Sequence, residues 1–171
     1  MAVAGSMADV LPIHQAACIP LNLDALRREL ENGVAPDVTD RNGYTPLHHL
    51  CGGAVYANDA ERVLDDRVAG IRLLITKGAA VDMRDNYNMR PLDYVLGYRR
   101  ICLILLRAGA ALPAHSTDAY LQKVRAAGSL QNYERAHLDA LAASFAPKFA
   151  HLLPPELVRR VVEYAFHVGD Y

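Results

Sequence analysis

The stretch "DRNGYTPLHHLCGG", residues 40–53, gathers residue types that do chemistry: His48 and His49 side by side, with Cys51 two positions on. Imidazole and thiol at this spacing could ligate zinc, or could pair as base and nucleophile. A structural zinc site needs four ligands, and none completes the set of His48, His49 and Cys51 at workable spacing. Cys18, Cys51 and Cys102 fall in unrelated local contexts with no placed His–Asn partner, so a thiol nucleophile is not expected. The glycines of "CGGAVYAND" lack the Gly-Lys-Ser/Thr ending of a phosphate loop, and no G-x-S-x-G elbow exists. Asp65–Asp66 and Asp82–Asp85 are acidic pairs, but they fall in an insertion and a hairpin arm, without an enclosed pocket to split their pKa values. Catalysis, metals and cofactors are therefore not expected, and these residues read as scaffolding.

Length, composition and charge bound the classes open to the chain. A chain of 171 residues with 52% hydrophobic residues has material for one domain and an appendage. Net charge is −1 with the signs mixed along the chain, so no basic stripe offers itself to nucleic acid. An odd count of three cysteines fits reduced thiols, and no apolar run reaches membrane-spanning length. The first basic residue is Arg27, unlike the charged start of a signal peptide; the cytoplasm or nucleus is expected. Residues 1–9 read as a flexible lead-in, with "MAVAGS" as an appended segment and Met7 as an alternative start.

Which elements position these side chains is told by an internal repeat. "LPIHQAAC", "TPLHHLC" and "RPLDYVLG" each precede a helical stretch that ends at a glycine, Gly33, Gly78 or Gly109. From Gly33 to Pro46 is 13 residues, and from Gly78 to Pro91 is again 13; within that interval Asp37 matches Asp82 and Asp40 matches Asp85. Thr45 suits a helix N-cap and Pro46 the first helical position, where no N–H is needed. The three glycines suit left-handed helix stops, while Gly43 and Asn88, each three residues before a proline, suit positive φ in a tight turn. Each unit thus reads as turn, helix, loop, helix, glycine stop and extended arm, an all-α architecture.

"GYTPLHHLC…IRLLITKGAAVDMRD" resembles the ankyrin repeat, whose pattern runs D-x-x-G-x-T-P-L-H-x-A, a leucine-rich helix and G-A-x-V-N/D. Three irregular repeats span residues 10–39, 40–84 and 85–113. Leu11 replaces Thr in the first; Arg90 and Asp93 replace Thr and His in the third. Pro46 to Pro91 is 45 residues, roughly 12 beyond the usual repeat, and the excess falls at about 54–67 as an exposed insertion. The resemblance implies that His14 and His48 bond backbone of a neighbouring hairpin, His48 also bonding Thr45. His49 stands where leucine is usual: either a satisfied, partly buried imidazole or a pH-sensitive contact.

After Gly109 the register fails, and residues 114–171 read as helices. In "LPPELVRRVVEYAF" the residues Leu157, Val158, Val161, Val162 and Ala165 form one apolar stripe, expected to be buried. One reading makes this segment a cap over the end of the solenoid. The other notes that "LPPELVRRVVEYA" is similar to the opening helix of F-box-like segments that dock ubiquitin-ligase adaptors. The longer stretch "YERAHLDALAASFAPKF…LPPELVRRVVEYAFHVGDY" also resembles tails that follow ankyrin arrays in some algal and other protist proteins.

The resemblance implies a non-catalytic protein-binding module, monomeric on its own, with a protein partner and neither nucleic acid nor membrane. Binding would use hairpin tips and inner helices: Arg41, Asn42 and Tyr44 in one hairpin, Asn86, Tyr87 and Met89 in the next, then Arg90, with Tyr98 and Arg99 extending the strip. Tyr44, Tyr87 and Arg41 would lead, since Tyr and Arg carry much of interface energy. A structural subunit of a larger assembly and the ligase adaptor are the alternatives.

Overall fold

In a computed structural model the protein is described over residues 11–18, 21–56, 61–113 and 116–167. The lead-in 1–9 and residues 57–60 of the insertion lie outside these. Among the described residues every regular element is a helix: α1 (Pro12–Ala17), α2 (Leu23–Glu31), α3 (Pro46–Tyr56), α4 (Glu61–Thr76), α5 (Pro91–Tyr94), α6 (Arg99–Arg107), α7 (Ala119–Ala126), α8 (Leu130–Phe149) and α9 (Pro155–His167). The chain divides into two compact units, Met1–Pro113 and Ala114–Tyr171.

In the first unit α1 packs on α2, α3 on α4 and α5, and between the pairs α1 meets α3 and α2 meets α4. Helices α1, α3 and α5 each begin at a proline, whose fixed φ and missing N–H suit a first turn. Helices α2, α4 and α6 end alike. Gly33, Gly78 and Gly109 take φ of 88°, 88° and 96°, and the next residue donates back to a carbonyl five positions earlier, as Ala79 does to Leu74 at 3.0 Å. The core between the helices is aliphatic, with Ile13, Leu26, Leu47, Ile71, Leu92 and Leu105 all at 0% exposure. Burying each such side chain contributes roughly 1.5–3 kcal/mol.

The insertion departs from the expected exposed loop. Helix α3 runs on to Tyr56 and α4 starts at Glu61, so most of segment 54–67 extends two helices. Good helix formers in "AERVLDDR" allow this. Arg67 is buried, with Nη1 donating to the Leu50 carbonyl at 3.2 Å, while exposed Asp65 pairs with Arg100.

In the second unit α7 packs on α8 and α8 on α9. The expected buried stripe of α9 splits. Val158 and Val162 are 3% and 5% exposed, but Leu157 and Val161 are 42% and 56% exposed. Adjacent residues point about 100° apart on a helix, so one neighbouring helix covers only one of the two rows. The side chain of Ala165 lies outside the described ones.

Candidate functional site

The two hairpin arms before α3 and α5 are built on one plan. The Asp40 carboxylate accepts the N–H groups of Asn42 and Tyr44 at 2.8 and 3.0 Å; Asp85 accepts those of Tyr87 and Met89 at the same distances. Each turn closes through a positive-φ residue, Gly43 at 75° and Asn88 at 63°. The tips are joined: Asn86 N–H donates to the Asn42 carbonyl at 3.0 Å, and Asn86 Nδ2 to that of Arg41 at 3.0 Å. At the other end of each arm Asp37 accepts from Ala80 N–H at 2.8 Å and Asp82 from Ala111 N–H at 2.9 Å.

The second oxygen of each turn aspartate is taken by a residue nine positions on. His49 Nε2 lies 3.0 Å from Asp40 Oδ2, and the Tyr94 hydroxyl donates to Asp85 Oδ2 at 2.6 Å. His49 and Tyr94 both stand three residues after their helix's proline, so the unusual histidine and an unremarked tyrosine do one job. Burial pushes both carboxyls up, but the hydrogen bonds outweigh it and leave both pKa values lowered. Burial lowers the His48 and His49 pKa values despite the nearby carboxylates, favouring neutral imidazoles. Burial and the Asp85 contact push the Tyr94 phenol up.

The TPLH tetrad, Thr45 to His48, is held by its own side chains and by the next arm. His48 Nε2 faces the Met89 carbonyl at 3.2 Å, while Nδ1 meets the Thr45 hydroxyl at 2.8 Å and the Thr45 N–H at 3.2 Å. The Thr45 hydroxyl accepts from His48 N–H at 3.3 Å. On α5 Asp93 stands two residues after Pro91, as His48 does after Pro46, and accepts the Arg90 N–H at 2.9 Å. His14 Nε2 faces the Val38 carbonyl at 2.9 Å.

These arms bring part of the expected strip together. Tyr44 is half-buried at the centre of a ring cluster, 6.1 Å from Tyr87, 6.1 Å from Tyr94 and 5.5 Å from His49 between centroids. Tyr87 is 65% exposed and Met89 36%; Arg41 and Asn86 are exposed, and Asn42 is half-buried. Arg90 is turned inward, only 9% exposed, and engaged with Asp93 at 3.4 Å and Asp82 at 3.7 Å. Tyr98 sits half-buried at the start of α6, and Arg99 is exposed there. The sequence reading missed Tyr94; the offset of 45 residues that relates the two arms would have paired it with His49.

Among the described residues no group of three or more His, Cys, Asp or Glu side chains could hold a metal ion, and no helix is long and apolar enough to cross a membrane. Comparison of the chain with models of known families and with curated proteins finds no match.

Proposed function

We propose that the chain is a non-catalytic protein-binding module built on an ankyrin-type array, recognising a protein partner through its hairpin tips. One observation carries this reading. Two arms of identical construction are hydrogen-bonded tip to tip, and they leave Tyr87 and Met89 open beside the ring cluster of Tyr44. A rigid backbone under an exposed aromatic costs little ordering entropy on binding. The Asp40 and Asp85 turns supply that rigidity, and the exposed Arg41 adds charge at the rim.

The experiment is capture of a partner by the tagged full-length chain, followed by titration with variants. Tyr87→Ala should weaken binding by about 1–3 kcal/mol, as truncating an interface aromatic does, while leaving the melting temperature nearly unchanged. Unaltered affinity of the Tyr87→Ala, Met89→Ala double variant would move the site away from the tips. The ligase-adaptor reading is favoured by a different observation, the exposure of Leu157 and Val161 on α9. Under that reading, replacing both with Glu abolishes adaptor binding and leaves tip-directed binding intact.

A further inference from the structure

Cys18, the C-cap of α1, has its Sγ 3.4 Å from His49 Nδ1, while the other ring nitrogen of His49 lies 3.0 Å from Asp40 Oδ2. Three elements contribute: the end of α1, the turn before α3, and α3 itself. Since a carboxylate can only accept here, Asp40 fixes the proton on Nε2 and leaves the Nδ1 lone pair facing the thiol. Asp40 cannot swing away, because its side chain is 4% exposed and its other oxygen holds two backbone N–H groups. Cys18 is also the accessible cysteine of the set, of intermediate exposure where Cys51 and Cys102 are buried. Thiol, base and orienting carboxylate in hydrogen-bond sequence are the arrangement that activates a nucleophile.

We infer that Cys18 is a nucleophilic thiol, with His49 as its general base and Asp40 as the positioning residue, and that it adds to soft electrophiles, of which α,β-unsaturated carbonyl compounds are the class a sulfur nucleophile attacks by conjugate addition. The inference is independent of the protein-binding reading. Burial and the Asp40 charge push the Cys18 thiol up, so it rests neutral and donates S–H to Nδ1. Burial holds the His49 pKa below its ordinary value, so the imidazole is a free base at neutral pH. Among the described residues, the groups facing that ring are His14 from α1 and Cys18 at its end, Asp40 and Tyr44 from the turn, and His48 from α3, with Asp40 the one carboxylate.

The step balances without a co-reactant. Nδ1 takes the thiol proton as sulfur bonds the β-carbon, and the π pair of the C=C bond moves on to form an enolate. The imidazolium then returns that proton to the α-carbon, giving a thioether and regenerating neutral His49.

The test treats the full chain with acrylamide from pH 5.5 to 9 and reads adducts by peptide mass spectrometry, with glutathione as the unassisted thiol. Cys18 should be labelled while Cys51 and Cys102 are spared. Its rate should follow the titration of His49 and level off above about pH 7, where glutathione still rises tenfold per pH unit toward its own pKa. His49→Leu should cut the rate at pH 7 at least about tenfold and restore the steep profile. Asp40→Asn would present an N–H to Nε2 and shift the proton to Nδ1, with a similar loss. Circular dichroism verifies folding, and His49→Gln replaces the leucine variant should that one misfold. A wild-type profile as steep as that of glutathione, equal rates in the folded His49 variants, or an unlabelled Cys18 in the native protein would overturn the inference.

Discussion

His14 and His48 each stand two residues after the proline that opens their helix, but they close different sets of hydrogen bonds. Thr45 satisfies Nδ1 of His48 through its hydroxyl and N–H. Leu11 occupies the matching position before His14, and His14 Nδ1, in a side chain at 0% exposure, has no hydrogen-bond partner among the described residues. Leu11 is itself 45% exposed, so removing it forfeits little burial. Leu11→Thr should therefore stabilise the protein by about 0.5–1.5 kcal/mol, the net worth of one hydrogen bond regained, read from urea unfolding at pH 7. The ionisable residues make a second prediction. His48 and His49 have lowered pKa values in the folded chain, so the unfolded chain binds protons first as pH falls through about 6.5, and stability drops. Asp40 and Asp85 are lowered too; their contribution is full above about pH 4 and is lost as pH falls through their folded values. Both sets act in the same direction. Unfolding at pH 7 and pH 5 should show lower stability at pH 5, and His49→Leu should shrink that difference. At this scale Thr, Pro, Gly and Asp marked the turns and helix starts, because these residues have strong local preferences. The sequence did not show that His49 bridges Cys18 and Asp40, residues 31 and 9 positions away, since that contact needs the stacking of α1 on α3.

A turn residue's constraints come both from its own φ and from the element beside it. Gly33 and Gly43 separate these two causes. At Gly33, φ is 88° but a Cβ would meet nothing within 4 Å. At Gly43, φ is 75° and a Cβ would sit 2.7 Å from Asn86 Oδ1 and 2.9 Å from Asn86 N, inside the tip-to-tip contact. Gly33→Ala should cost about 1–2 kcal/mol, the ordinary penalty of the left-handed region. Gly43→Ala should cost measurably more, because the backbone of Asn86 must also give way, and it should loosen the joined tips. Thermal melts of the two variants side by side check the ordering; equal losses would mean that the arms are not in contact at Asn86. The element scale also shows where pattern reading stopped. Helix starts at Pro12, Pro46 and Pro91 were legible because proline marks a first turn. The segment at 54–67 was not. Its Ala, Glu, Arg and Leu favour helix, but a repeat register treats any excess length as loop, and propensity prolongs α3 and α4 instead.

Over the whole molecule, the two units differ in how their helices are covered. The first places α3 among α1, α4 and α5, and Leu47, Leu50, Ile71, Leu74 and Leu92 are fully buried between them. In the second, α8 has no buried residue, and α9 shows one covered and one open row. Phe145, Phe149, Leu153, Val158, Val161 and Val162 line a shallow apolar groove there, and Leu152, Leu157 and Tyr164 add further exposed surface. An apolar stripe was legible in "ELVRRVVEYA" from its spacing alone; which row would face α8 was not, because that depends on how the helix is rotated about its axis. Val162 and Val161 read that rotation directly. They are chemically identical neighbours on the same helix, so local propensity is the same for both substitutions and cancels in the comparison. Val162→Ala should destabilise the second unit by about 1–3 kcal/mol through loss of buried methyl groups. Val161→Ala, at a site 56% exposed, should stay within about 0.5 kcal/mol of the parent. Denaturant unfolding of the two variants measures the difference. A larger loss at Val161 than at Val162 would mean that α9 is rotated by about one residue from the orientation described, with its open row in fact covered.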